Sequence, residues 1–259
     1  MSTYAPDRPV GAMLREWRQR RRFSQQDLSD VSSVSTRHLS RVETGRAHPT
    51  PEMILHLADT LEVPLRDRNG LLLAAGYAPR YSDRPRGDAS VASVMAGLRS
   101  LLDAHLPYPA LLLDDDWDVV DANAAVDALL AGCAPELLEP PLNVLRLTVD
   151  EQGLAQRIVN LEEWTAHLYW QVAHRADRTS KPRHHDLAAM VAALRGGGVP
   201  RLSPSAGPVL TMDLRAGDTV LRMFSTTARL TTATDVALEG LHLETFLPAD
   251  EATRAYFTA

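Results

Sequence analysis

Val10, Leu14 and Trp17 recur at i, i+4 and i+7, a spacing that predicts a first helix over residues 10–22. Ser24 is a good N-cap for a short second helix over Gln25 to Val31, and Ser32 and Ser33 break it. Ser35 caps a third helix from Thr36 to Glu43, stopped by Gly45. Thr50 followed by Pro51 is another start signal, with Met53, Ile54, Leu57, Ala58 and Leu61 as the buried stripe behind it. Pro64 opens a fifth helix whose apolar run closes at Gly76. Five short helices joined by tight turns predict an all-α domain over residues 1–80.

Residues 79–88 are polar and carry Pro and Gly, which reads as a linker. Val91, Val94, Met95, Leu98, Leu101 and Leu102 then form an apolar stripe on a helix of about 89–105, so residues 81–106 are a linker plus a connecting amphipathic helix. That stripe packs either on its own domain or as a dimer seam. From residue 107 the pattern changes. Ala110–Leu113 and Trp117–Asp121 flank the charged turn Asp114–Asp116, a hairpin signal. Helical patterns follow near 123–131, 154–176 and 185–195, then a Gly-, Pro- and Ser-rich loop over 196–208. Strand-like runs over 208–214, 219–225 and 240–246 and a helix near 249–257 complete residues 107–259. Strands at both ends with helices between them give an α+β domain, and the whole chain an α+β, two-domain fold class.

Charge separates the halves. Residues 1–80 carry 12 Arg against 9 acids, +3, whereas residues 81–259 carry 15 basic residues against 24 acids, −9. A basic front and an acidic rear point to different partners. Cys133 is the only cysteine, which excludes an internal disulfide and a cysteine-rich zinc site and fits a reducing cytoplasm. No apolar run approaches the roughly 18 residues of a membrane span, and the polar start, Met1–Pro9, is unlike a signal peptide. No membrane partner is expected.

Ser24-Gln25-Gln26-Asp27-Leu28, followed by Val34-Ser35-Thr36-Arg37-His38-Leu39-Ser40-Arg41-Val42-Glu43-Thr44-Gly45-Arg46, resembles the helix-turn-helix of the XRE/Cro/phage-repressor class. The longer stretch from Val34 to Tyr81 is similar to a narrower group whose members carry an MmyB-like ligand-binding domain. The resemblance implies a sequence-specific transcription regulator on a double-stranded DNA operator. By that motif Thr36, Arg37 and Arg41 face base edges in the major groove, where arginine bonds guanine in bidentate fashion. Gln25 and Arg46 match positions that grip phosphates. Arg18 and Glu43 match a structural ion pair. Ser33 and Ser29 stand where the class has Gly and Ala. Regulators of this type generally bind as dimers across half-sites one helical turn apart, so a homodimer is expected.

Pro109–Asp114, Trp117–Asn123, Leu142–Arg146 and Glu244–Arg254 resemble the MmyB-like domain, whose fold is PAS-like, an antiparallel sheet with helices. That resemblance implies a sensor of a small apolar ligand, with fatty-acid-like molecules one suggestion for the family. Trp117, Arg146, Trp164, Trp170, Phe224 and Phe246 are the candidate pocket residues, each with an ordinary structural role as the competing reading. Asn123 reads as a helix cap. The alternative is that the rear domain is only a dimerisation or protein-docking module. An enzyme is not expected. His174, His184 and His185 lack metal-ligand spacing, there is no H-E-x-x-H or G-x-S-x-G, and Lys181 is the only lysine for a self-cleaving dyad. No cofactor is expected either; haem would need an axial ligand such as His167 or His242.

Overall fold

The computed structural model describes residues 8–179, 181–193, 200 and 208–258. They fall into two compact units. The first takes the described residues up to Arg86 with Asp177–Thr179 and Thr232–Glu239, and the second takes the rest.

The first unit is built on five helices: α1 (Val10–Arg20), α2 (Gln25–Ser32), α3 (Thr36–Glu43), α4 (Pro51–Thr60) and α5 (Leu65–Ala74). Local chemistry sets their ends. Helix α1 stops two residues short of the expected Arg22, because Arg22 turns left-handed at φ 58°. Phe23 N–H then bonds back to the Arg18 carbonyl at 3.1 Å, and Arg22 N–H to that of Gln19 at 2.8 Å. These are the paired bonds that close a helix C-terminus. Ser24 and Asp27 form a reciprocal capping box on α2, while Ser35 and Thr50 accept from the N–H groups of His38 and Met53. Ser33 holds the turn between α2 and α3 at φ 57°, the left-handed region that Gly enters more cheaply. Val10, Leu14, Trp17, Leu28, Leu39, Val42, Ile54, Leu57, Leu61, Leu71 and Leu72 fill the core of this unit.

The second unit is a five-stranded antiparallel sheet with helices. Its strands are β1 (Ala110–Leu113), β2 (Val119–Ala122), β3 (Met212–Ala216), β4 (Thr219–Arg229) and β5 (His242–Pro248), in the order β2-β1-β5-β4-β3. Helices α6 (Ala89–Ala104), α7 (Ala125–Leu130), α8 (Pro135–Leu138), α9 (Val144–Val149), α10 (Leu161–Arg178), α11 (Pro182–Ala193) and α12 (Glu251–Thr258) accompany it. Leu111, Leu113, Met212, Leu214, Leu221, Met223 and Phe246 from the strands share one core with α7–α11. By strand alternation and register these residues lie on a single face of the sheet. Helix α6 is packed near β1 and β2 and buries Val91, Leu98 and Leu102, while Leu101 on its stripe is 58% exposed. Asn123, almost fully buried, accepts from Ala110 N–H and donates to the carbonyls of Leu102 and Tyr108. It thereby ties the end of α6 to the first strand, rather than capping α7 through its side chain.

Several expected elements move. Trp117 belongs to the hairpin turn, at φ 61°, and β2 begins only at Val119. The Asp114 carboxylate shapes this turn by accepting from Asp116 and Asp118 N–H. The helix expected over 154–176 is Leu161–Arg178. Before it the chain turns at Gly153, where a Cβ would stand 2.2 Å from the Leu147 carbonyl oxygen. The strands expected over 208–214, 219–225 and 240–246 are Met212–Ala216, Thr219–Arg229 and His242–Pro248. The short helices α8 and α9 had no counterpart in the pattern. The loop over 196–208 lies outside the described residues except at Pro200 and Pro208.

Candidate nucleic-acid interface and the sheet domain

Helix α3 buries Leu39 and Val42 and turns Arg37, His38 and Arg41 to solvent. Arg37 and Arg41 are one helical turn apart, so they share a face. Neither has an ion-pair partner among the described residues. Thr36 is half-buried at the first position of the same helix, and Arg46 is exposed just beyond its end. Gly45, at φ 71°, closes α3. Arg46 and Ala47 then bond back to the Arg41 carbonyl at 2.7 and 3.0 Å. Thr36, Arg37, Arg41 and Arg46 are thus all carried by one short segment.

What holds that segment in place is a charged clamp. Arg18 on α1 grips Glu43 through two bonds, Nε to Oε1 at 2.7 Å and Nη2 to Oε2 at 2.9 Å, and donates a third to the Phe23 carbonyl. Their side chains are 9% and 5% exposed, so the pair is nearly dry. Burial works to raise the Glu43 pKa, but hydrogen bonds from Arg18 and Gln25 outweigh it and hold the carboxyl below its ordinary value. The same bond raises the Arg18 guanidinium. Gln25 is therefore not free: its Nε2 donates to Glu43 Oε2 at 2.8 Å. Arg21, part of the basic stretch that ends α1, is likewise occupied, donating to the Leu61 and Glu62 carbonyls.

The six candidate pocket residues do not converge. Trp117, Trp164 and Phe246 are buried in the one core of the second unit. Trp117 meets the rings of His184 and His242 edge-on, and Trp164 lies beside His167. Phe224 pairs with Leu247 and so points to the opposite face of the sheet from Met223 and Phe246. Trp170 is 39% exposed and donates to the Pro200 carbonyl at 2.9 Å. Arg146 is exposed on α9. His242 Nδ1 lies 3.0 Å from the Gly240 carbonyl and His167 Nε2 2.8 Å from the Gln171 amide. Glu244, on the sheet face that shares its core with α7–α11, is a polar residue with no candidate role in the sequence. Strand alternation groups Glu244 with His242 and Phe246, but only strand pairing assigns that row to the core side.

Residues 94–259 match the family model of the MmyB-like transcription regulator ligand binding domain, and residues 9–71 match a helix-turn-helix domain model. Two curated proteins of Bacillus subtilis strain 168 are similar to part of the chain. The HTH-type transcriptional regulator RghRB is 34% identical over 79 residues, covering 30% of this chain and 55% of that protein. The HTH-type transcriptional repressor RghR is 38% identical over 68 residues, covering 26% and 48%. The chain thus spans about half the length of the curated relatives it matches. A DNA-binding helix-turn-helix in front and a matched ligand-binding domain over more than half of its length define this chain, which belongs to the MmyB-like transcription regulators.

Proposed function

We propose that the protein binds a double-stranded operator as a homodimer in the cytoplasm and that a small apolar ligand in the second unit modulates this binding. Thr36, Arg37 and Arg41 read base edges, and Gln25 and Arg46 hold phosphates. The observation that carries the reading is the pair Arg37 and Arg41, exposed, uncompensated by any described acid and set on one face of a helix whose other side is core. Because its side-chain amide is tied to Glu43, Gln25 meets a phosphate chiefly through the free N–H groups at the start of α2. Among the described residues no helix is long and apolar enough to cross a membrane.

The ligand reading rests on the family of residues 94–259 and on the apolar core that one sheet face shares with helices α7–α11; a fatty-acid-like chain is one candidate. The competing reading, a rear unit that only dimerises or docks a partner, draws on the exposed apolar Leu101 and Leu106.

Selection of bound fragments from a random duplex pool, repeated with Arg37→Ala, tests the proposal. Recovery of a palindromic consensus that loses definition at one position per half-site in the variant supports it. Recovery of no preferred sequence, or equal losses for Arg37→Ala on consensus and random duplex, overturns it.

A further inference from the structure

Along β5 the side chains of His242, Glu244 and Phe246 point to the sheet face that shares its core with α7–α11. Strand pairing sets Leu111 on one side of Glu244 and Thr227 on the other, with Ser225 and Arg229 as the diagonal neighbours on β4. A carboxyl thus stands on this face between the apolar Leu111 and Phe246 and the polar Ser225, Thr227 and Arg229. Burial raises the Glu244 pKa, and the Ser225 hydroxyl is the one group set against it. No cationic side chain among the described residues pairs with it. Arg229 closes the same row at the end of β4, opposite His242. It keeps an exposed surface, yet its guanidinium is sufficiently surrounded by protein that its pKa is lowered, and it has no acid partner among the described residues.

An acid and a base therefore share one sheet face as diagonal neighbours, about 7 Å apart at Cβ, and leave each other unpaired. Ionisable groups left without a charged partner, one with its pKa raised and the other with its pKa lowered by burial, concentrate at functional sites. We propose that Glu244 and Arg229 are the two poles of a recognition site for a small zwitterion, an α-amino acid or close analogue with an apolar side chain. Its ammonium pairs with Glu244, its carboxylate with Arg229, and its side chain lies against Leu111 and Phe246. A simple alkyl carboxylate satisfies only Arg229 and brings a second negative charge towards Glu244; an alkyl amine satisfies only Glu244. This inference rests on reading residues 94–259 as a ligand-binding domain and specifies the head group that domain selects.

The test is a matched set of ligands on the full chain, followed by calorimetry and thermal shift. The set is L-leucine, 4-methylpentanoate and 3-methylbutylamine, then L-phenylalanine, 3-phenylpropionate and 2-phenylethylamine, with decanoate as the fatty-acid arm. At least one amino acid is expected to bind more tightly than both of its one-charge analogues. Glu244→Gln and Arg229→Gln should each weaken it about thirty-fold or more. The variants should also change preference in opposite senses. Glu244→Gln favours the deaminated acid and Arg229→Gln the decarboxylated amine, a reversal that a merely structural role would not produce. If decanoate or another one-charge ligand binds best and both variants bind it unchanged, the zwitterion site is wrong while the sensor reading stands. If none of these ligands binds, this inference falls while the sensor reading, which rests on the family of residues 94–259, stands.

Discussion

Gly11 on α1 lies so close to Val42 on α3 that a Cβ at residue 11 would stand 2.1 Å from the Val42 carbonyl oxygen. Backbone, not side chain, sets the approach of these two helices, and α3 is the helix that carries Arg37 and Arg41.

Gly11→Ala should therefore act at a distance from DNA. Overpacking against a main-chain oxygen cannot be relieved by a rotamer change, and a loss of about 3 kcal/mol in stability is expected. Urea unfolding of the variant measures it, and operator affinity should fall in parallel because α3 must shift. An unchanged midpoint would show that the helices separate without cost.

The Arg18–Glu43 clamp gives a second expectation. Arg18→Met removes one charge and leaves Glu43 nearly dry, a loss of about 3 kcal/mol. The clamp also makes stability acid-sensitive. Because the folded-state pKa of Glu43 lies below its unfolded value, its contribution is present above the unfolded pKa, about 4.3, and disappears as pH falls through the lower folded value. Denaturation midpoints between pH 7 and pH 3 should show this decline in the native chain and a flatter one in Arg18→Met.

Phosphate and base contacts separate by salt. Arg46→Ala should reduce the slope of log affinity against log salt by about 1 and leave base preference intact. Arg41→Ala should instead cost about 1–3 kcal/mol on the consensus alone. Titrations at several salt concentrations on consensus and scrambled duplexes distinguish the two; identical profiles would count against both assignments.

Asn123 offers a check on the second unit. Replacing it by Ala strips partners from the Ala110 N–H and from the Leu102 and Tyr108 carbonyls. About 2 kcal/mol or more should be lost, since unsatisfied buried groups carry their full desolvation cost. Protease susceptibility at the end of α6 should rise, while the helix-turn-helix keeps its duplex binding.

The front helices could be read from the chain because their signals are local. Ser24 with Asp27, Ser35, and Thr50 before Pro51 each act within three residues, and the cap bonds form there. The sheet unit was legible as alternation and as a family resemblance, but not in detail. Helix α8 has four residues and α9 six, too few to show a period, and both bury their apolar residues in the core shared by the whole unit. The left-handed Trp117 could not be anticipated, because the Asp114 carboxylate enforces its turn. Pocket candidates chosen for aromaticity scattered, since face, not residue type, decides what lines the core: Phe224 and Phe246 carry the same ring on opposite sides. Glu244 was missed for the converse reason. A charged residue at an inward position looks like solvent-facing polarity until pairing assigns its side.

Strand order carries a consequence for synthesis. β5, the last strand of the sheet along the chain, sits between β1 and β4. Until residue 248 has been made, no complete strand among the described residues joins the β1–β2 hairpin to the β3–β4 hairpin. The five helices of the front unit are all made within the first 74 residues. A message broken before codon 242 would encode those helices in front of an unclosed sheet, leaving strand edges exposed to self-association.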